Sequence, residues 1–397
     1  MVCGLLLASL LGQASAVVFT MGQRLFFARW VVEDIVKSMQ ENPSDANAQK
    51  QGCQHLAMSV PTTSKAAQDM AAAAGAIDAP IMAMRRFPDD KELQVVCVHA
   101  VGSSILFNRQ NGLRAGSLGG LNLTLAAYGR WMEDPTVTCL GGSIGCYLDY
   151  CDENRAILKE LGGVHLLIQN IKNNFHGQYS EWAYQPVLES LYGLSSGCWK
   201  NQDACYQEGF VELAVRLMDE HTAEMKIAEE TLQAVKALMD YSYRSDFAKN
   251  GLAKVLVKVL HENSHDRGAV SLACTNMAMF IGQPWDSSSP RLDWSFENQV
   301  LVTLAGAIEE LLPRVNSDVQ VEHHLHGFNF DVDAEYNADA DCLDAMGALA
   351  YRSGTNQRTM VKGGIVEGLT GKLQQKQLND RAEVSACGVL TLLASNG

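Results

Sequence analysis

Apolar residues recur along this chain at fixed offsets from a repeated starting point, which in most copies contains glycine. After Gly209, for example, Val211, Val215 and Met218 follow at offsets of two, six and nine residues. Steps of four and three residues place these side chains on one face of an α-helix, so each run predicts an amphipathic helix. The glycine favours the end of a short helix and a sharp turn into the next one.

The pattern returns with a nearly constant period. Starting points at positions 30, 75, 119, 162, 209 and 251 lie 45, 44, 43, 47 and 42 residues apart, and further copies start near Asn298 and at Gly363. Each unit contains a short polar helix, such as residues 152–160, then the amphipathic helix and then a longer one. One such unit cannot bury its apolar faces, whereas stacked neighbours can, so the repeat predicts an all-α solenoid.

The segment from Asn154 to Val164, NRAILKELGGV, joins the short polar helix to a glycine pair and the next apolar run. This motif and the period resemble the armadillo repeat family. The resemblance implies a right-handed α-solenoid of about eight armadillo-like three-helix repeats, extending over residues 1–397 as a single unit. Because armadillo solenoids serve transport, adhesion, signalling and assembly, it implies a fold more than a function.

Armadillo proteins that bind peptides, such as the nuclear-import receptors, carry an Asn on the last helix of each repeat and a Trp one turn earlier. At the equivalent positions here only Asn276 keeps the Asn, and no position keeps the Trp. We therefore expect a partner with its own fold, or a helix in the groove, rather than a long extended peptide. The residues expected to line the groove are Gln54, Tyr147, Glu189, Lys236, Asp240 and Asn276.

Two segments interrupt the repeat. Residues 284–296 have the composition of a loop, and residues 313–340, within the seventh repeat, form an insertion whose charge is almost entirely carboxylate. Insertions in solenoids lie on the surface and often carry function, so both are candidate partner-binding segments. Their candidate contact residues are Trp285, Trp294, Asp331, Asp333 and Glu335.

The longer insertion also contains donor types that suit a metal ion. His323, His324 and His326 lie near carboxylates, which are zinc-ligand types. A calcium loop beginning at Asp331 would need Gly at position 336, where Tyr336 stands. We therefore predict a solvated acidic loop without a metal, and no cofactor.

Charge narrows the class of partner. The 397 residues include 31 Lys and Arg against 45 Asp and Glu, which gives a net charge of −14. This balance disfavours a dedicated nucleic-acid binder and suits a basic protein or peptide. The sequence contains no Walker phosphate loop and no dinucleotide-binding GxGxxG, so we predict a protein that is not an enzyme. Glu229 and Glu230 are expected on a solvated helix face.

Eleven cysteines are scattered without a CxxC pair, and most lie inside apolar helical patterns, as Cys53, Cys97 and Cys274 do. We expect buried thiols rather than a disulfide framework, and a cytoplasmic or other reducing compartment. Cys198 and Cys205 flank a loop and would pair only in an oxidising compartment.

Residues 1–29 form an apolar N-terminal segment, in which residues 2–21 carry no charge. The segment after Cys3 resembles the one after Cys387, which favours the last helix of a preceding repeat. Ala14-Ser15-Ala16 alternatively resembles the cleavage site of a signal peptide, which would place the chain in an organelle or on the secretory route. A membrane anchor is the third interpretation, and residues 2–21 are the only expected membrane contact.

These observations predict a non-catalytic protein-interaction scaffold or adaptor. The alternative is a structural accessory subunit of a large complex, organellar or membrane-associated. It is motivated by the apolar start and by an end that directly follows a repeat helix, since an uncapped solenoid end exposes apolar surface.

Overall fold

The computed structural model describes residues 21–62, 64–134, 137, 140–148, 152–174, 181–239, 243–282, 295–316 and 338–395. Within these ranges every regular element is an α-helix, and the helices follow the three-helix order expected from the sequence. The short first helices of the repeats are α3 (Lys65–Ala73), α6 (Arg109–Ser117), α9 (Asp152–Glu160), α12 (Trp199–Gln207), α15 (Arg244–Lys249), α18 (Phe296–Leu304) and α21 (Gly354–Lys362). The second helices are α1 (Met21–Glu41), α4 (Asp78–Arg86), α7 (Gly120–Trp131), α10 (Gly163–Asn174), α13 (Phe210–Glu220), α16 (Leu252–Glu262), α19 (Ala307–Asn316) and α22 (Ile365–Gln375). The third helices are α2 (Ala46–Ser59), α5 (Lys91–Ile105), α8 (Leu140–Leu148), α11 (Glu181–Ser195), α14 (Met225–Met239), α17 (Arg267–Ile281), α20 (Ala338–Ala350) and α23 (Asp380–Ala394).

The turn between first and second helices depends on glycine, as the sequence predicts. Gly209 and Gly251 precede α13 and α16 with φ of 78° and 87°, in the left-handed region. A residue with a Cβ atom pays a steric cost there, whereas glycine does not. The glycine in the repeat therefore sets the direction in which each second helix leaves the turn.

A buried asparagine in the first helix closes the end of the preceding third helix. Asn154 Nδ2 donates to the carbonyl oxygen of Tyr147 at 2.8 Å, and Asn201 Nδ2 donates to that of Leu194 at 2.9 Å. The last carbonyls of a helix have no partner within the helix, so these bonds replace contacts with water. The same bond occurs from Asn111, Asn298 and Asn356.

Asn201→Ala should lower the free energy of unfolding by about 1–3 kcal/mol, because it leaves the buried carbonyl of Leu194 without this donor. Asn173→Ala, on the exposed face of α10, is the matched control and should change stability by less than about 0.5 kcal/mol. Urea unfolding followed by circular dichroism measures both. Equal stabilities of the two variants would contradict this account of the asparagine.

The third helices pack side by side with their neighbours along the chain. The chain divides into two compact units, Met1–Ala127 and Tyr128–Gly397, with the boundary inside α7. In the first unit α2 packs on α5, and in the second α8, α11, α14, α17, α20 and α23 form one continuous layer. The sequence predicts a single solenoid over the whole chain, and that continuity stays a prediction.

The two insertions have slightly different bounds from those expected. The helix α19 continues through Pro313 to Asn316, so the longer insertion begins later than position 313. Pro313 has no N–H to donate to the carbonyl oxygen of Glu309, so the helix continues there without that one hydrogen bond. Residues 283–294 and 317–337 lie outside the described residues.

Two disulfides correct the expectation of buried free thiols. Cys53 on α2 is bonded to Cys97 on α5, and Cys274 on α17 is bonded to Cys342 on α20. Their Cα atoms lie 4.8 and 4.9 Å apart, within the range that a disulfide spans. The physical reason is the repeat itself, because neighbouring third helices bring equivalent positions face to face.

The second expectation about cysteines concerns Cys198 and Cys205, which are not bonded to each other in the structure. Cys198 and Cys205 carry thiols, and burial raises the pKa of Cys205 to about 12. A buried thiol with a raised pKa is a poor nucleophile, so Cys205 behaves as a small apolar residue.

Among the described helices, none combines the length and the apolar character that a bilayer-spanning helix requires.

Candidate functional site

Glu189 and Glu230 lie on the neighbouring third helices α11 and α14, close enough for their charges to interact. We call these two residues the carboxyl pair. Both side chains are half-buried, so each is partly shielded from water but still accessible. The Glu189 carboxylate accepts a hydrogen bond from Gln185 Nε2 at 2.8 Å, which fixes its position on the layer.

The surroundings of the carboxyl pair disfavour two negative charges. Burial raises the pKa of Glu189 to about 7, although the hydrogen bond from Gln185 and the charge of Lys226 act in the opposite direction. Burial is also the main cause that raises the pKa of Glu230, and the charges of Glu189 and Glu229 add to it. A cation placed beside both carboxylates would favour their charged forms, and so would offset the cost of desolvation and the mutual repulsion. The pair therefore suits an ammonium or guanidinium group.

Glu229, next to the pair, has a structural role. It is only 8% exposed, and its carboxylate is bound by Lys226 Nζ at 2.7 Å. The expectation of a solvated helix face is therefore wrong for Glu229, whereas Glu230 is half-buried. The reason is that α14 packs against α11 on one side and against α17 on the other.

Other carboxylates on the same layer already have cationic or hydroxyl partners. Asp341 on α20 accepts from Arg381 at 2.5 Å and from Ser271. Asp344 accepts from Ser385 at 2.7 Å. These contacts join neighbouring third helices, so we assign Asp341 and Asp344 to the stability of the layer rather than to a partner.

The raised pKa of the pair makes stability depend on pH. Since the pKa of Glu189 lies near 7 in the folded chain against an ordinary 4.5, the folded state holds a proton that the unfolded state has lost between these values. Stability contributed by the protonated group is thus complete below about pH 4.5 and is lost as pH rises towards 7. Glu189→Gln with Glu230→Gln should flatten this fall, measured as urea midpoints from pH 4.5 to 8. Glu212→Gln, on an exposed face of α13, should not.

No protein-family model matches the chain, and no curated protein gives a significant match. Solved structures do match. The crystal structure of an engineered protein from the Northeast Structural Genomics Consortium has a TM-score of 0.70 at 18% identity, over 92% of this chain and 78% of that one. A designed armadillo repeat protein in complex with the peptide (KR)4 has a TM-score of 0.51 at 14% identity, over 69% and 98%. The fold is an armadillo-like helical repeat.

The residues predicted to line the groove differ in how far they are exposed to solvent. Gln54 is exposed on α2, and Glu189 and Lys236 are half-buried on α11 and α14. Tyr147 and Asn276 are 0% exposed, so they do not line an open surface and are corrected to interior positions. Asn276 Nδ2 instead donates to the carbonyl oxygens of Leu232 and Leu272.

The other residues predicted to bind a partner or a metal lie outside the described residues. They are Asp240, Trp285, Trp294, His323, His324, His326, Asp331, Asp333 and Glu335. Their roles in binding a partner or a metal stay predictions. Within the described residues, no three His, Cys, Asp or Glu side chains are grouped as a metal site requires.

The sequence contains the pattern GxSxG, which is typical of serine hydrolases, at residues 141–145 and 193–197. A nucleophile elbow needs an exposed serine on a strand-to-helix turn. Ser143 lies within α8 and Ser195 at the end of α11, and both are buried. The Ser195 hydroxyl donates to the Leu191 carbonyl oxygen of its own helix, so neither serine forms an elbow.

Glu230 is the site residue that sequence reasoning missed. The sequence placed it beside Glu229 on a charged face, without a link to Glu189. One signal was available: position 230 lies about one repeat period, 41 residues, after position 189 (230 − 189). In an armadillo-like fold, residues one period apart on third helices become neighbours in space.

Proposed function

We propose that this chain is a non-catalytic protein-binding scaffold whose third-helix layer, in residues 128–397, binds a basic segment of a partner protein at the carboxyl pair. The observation that carries the proposal is the pair itself, Glu189 and Glu230, two partly desolvated carboxylates on adjacent helices. The net charge of −14 would attract a basic segment over longer distances. The complex of a designed armadillo repeat protein with (KR)4 supports a basic ligand on this type of surface.

Recognition would depend on side-chain charge more than on the backbone of the partner. The sequence lacks the repeated Asn and Trp that hold an extended backbone in peptide-binding armadillo proteins. Lys226 is already engaged by Glu229, at 2.7 Å, so it competes little for the pair. A lysine or arginine of the partner would supply the missing cation. The partner residues on either side of it would contribute little to specificity.

The experiment is a titration of the purified full chain against a fluorescent (KR)4 peptide, followed by anisotropy. We expect saturable binding that weakens as salt increases, because much of the attraction is electrostatic. Binding should strengthen as pH rises through about 7, where Glu189 loses its proton. A glycine–serine peptide of equal length is the control. Absence of saturable binding, or equal binding of both peptides, would rule out this function.

A further inference from the structure

A second surface lies on the first helix α18, away from the carboxyl pair. Its side chains Phe296, Val300, Leu301 and Leu304 are 58%, 36%, 39% and 79% exposed. Phe296, Val300 and Leu304 are spaced by four residues, so they form a stripe along one side of the helix. We call these four residues the α18 stripe. Single exposed apolar residues are ordinary, whereas a contiguous stripe of four marks a surface for binding.

A basic border lies beside the stripe. On the first helix of the next repeat, α21, Asn356 Nδ2 donates to Thr303 Oγ1 of α18 at 2.9 Å, so the two helices meet at this bond. On and before α21, Arg352, Arg358 and Lys362 are exposed, and residues 351–366 contain no acidic residue. This concentration of positive charge is local, since the whole chain carries a net charge of −14.

We propose that the α18 stripe and its basic border bind an amphipathic helix of a partner protein, with apolar residues spaced by four in the stripe and carboxylates against Arg358 and Lys362. Helix-in-groove recognition uses this combination of an apolar anchor face and flanking charges. The four apolar residues lie along one side of a single helix, which suits the narrow apolar face of one partner helix, and exposed Arg358 and Lys362 suit its carboxylates. The basic border disfavours a second copy, whose own basic border would be repelled.

The test uses the full chain and a synthetic helix-promoting peptide with Leu at i, i+4 and i+8 and Glu along one flank. Anisotropy should show saturable binding. Leu304→Ser should weaken it about tenfold, since a largely exposed leucine contributes to binding without supporting the fold. Arg358→Gln with Lys362→Gln should weaken it by about threefold to tenfold and reduce the salt dependence. Val384→Ser, at a 74% exposed position on α23, is the matched control and should bind normally.

Three results would overturn the proposal. One is equal affinity for a peptide in which every Glu is replaced by Lys, because the basic border would then play no part. Another is a concentration-dependent dimer, detected by light scattering, that Leu304→Ser abolishes. The third is cosedimentation with phosphatidylserine vesicles that depends on Leu304. Thermal unfolding of each variant checks that the fold is intact, and because (KR)4 binding is measured separately, failure here leaves the proposed function tested on its own.

Discussion

Reduction of the two disulfides should lower the free energy of unfolding by about 2–4 kcal/mol for each bond. The bonds join residues 44 and 68 positions apart, so each removes considerable chain entropy from the unfolded state. Because one bond lies in each compact unit, Cys53→Ala with Cys97→Ala and Cys274→Ala with Cys342→Ala should each remove one contribution. Urea unfolding with and without dithiothreitol measures the effect.

The control for this prediction is Cys387→Ser, which changes an exposed thiol outside both bonds and should leave stability unaltered. Peptide mapping of alkylated protein without reductant should recover Cys53 linked to Cys97 and Cys274 linked to Cys342. Full alkylation of these four residues in the native protein would show that the bonds do not form. Stable structural disulfides persist in oxidising compartments, so a positive result would favour such a compartment over the reducing one expected from the sequence.

Neutralising the carboxyl pair should weaken binding of (KR)4 by about 10–100-fold, since hydrogen bonds to a charged group contribute about 1.5–3 kcal/mol. Glu189→Gln with Glu230→Gln keeps the shape of the site and removes only its charge. The same double variant should be more stable than the parent at pH 8, because two unfavourable buried charges are gone. Loss of affinity together with a gain in stability separates a binding role from damage to the fold.

Glu212→Gln is the matched control for binding, as it removes one exposed negative charge on α13. Its affinity for (KR)4 should stay within about twofold of the parent, which isolates the pair from the general effect of net charge. A double variant that binds as tightly as the parent would remove Glu189 and Glu230 from the site, even if the chain still bound the peptide elsewhere.

The repeat architecture could be predicted because its signals are local. The turn glycines, such as Gly209, and the asparagine caps, such as Asn154, act within one or two helices, so their spacing is visible along the chain. The fold resemblance to armadillo repeats is confirmed by the solved structures. The repeat period does not predict the rotation of each third helix about its own axis. That rotation decides which residues of the helix are buried.

Asn276 illustrates that limit. It lies ten residues after the helix-capping Asp266 (276 − 266), as His55 lies ten after Asp45 (55 − 45). The position equivalent to Asn276 in the first repeat is therefore His55, which is exposed, so the repeat register alone does not predict which of the two is buried. The disulfides were missed for a related reason. Cysteines one repeat apart look distant in sequence, although stacking brings them into contact.

The disulfide of the second unit also makes the boundaries between its third helices mechanically unequal. The α17–α20 boundary is tied by Cys274 and Cys342, so it cannot open unless a covalent bond breaks. Between α11 and α14, where the carboxyl pair lies, the described residues are joined only by packing and polar contacts. Under tension along the layer, we expect this boundary to widen while the α17–α20 boundary holds. The distance between Glu189 and Glu230 would then increase with load, and binding of a basic segment across them would weaken as the protein is stretched.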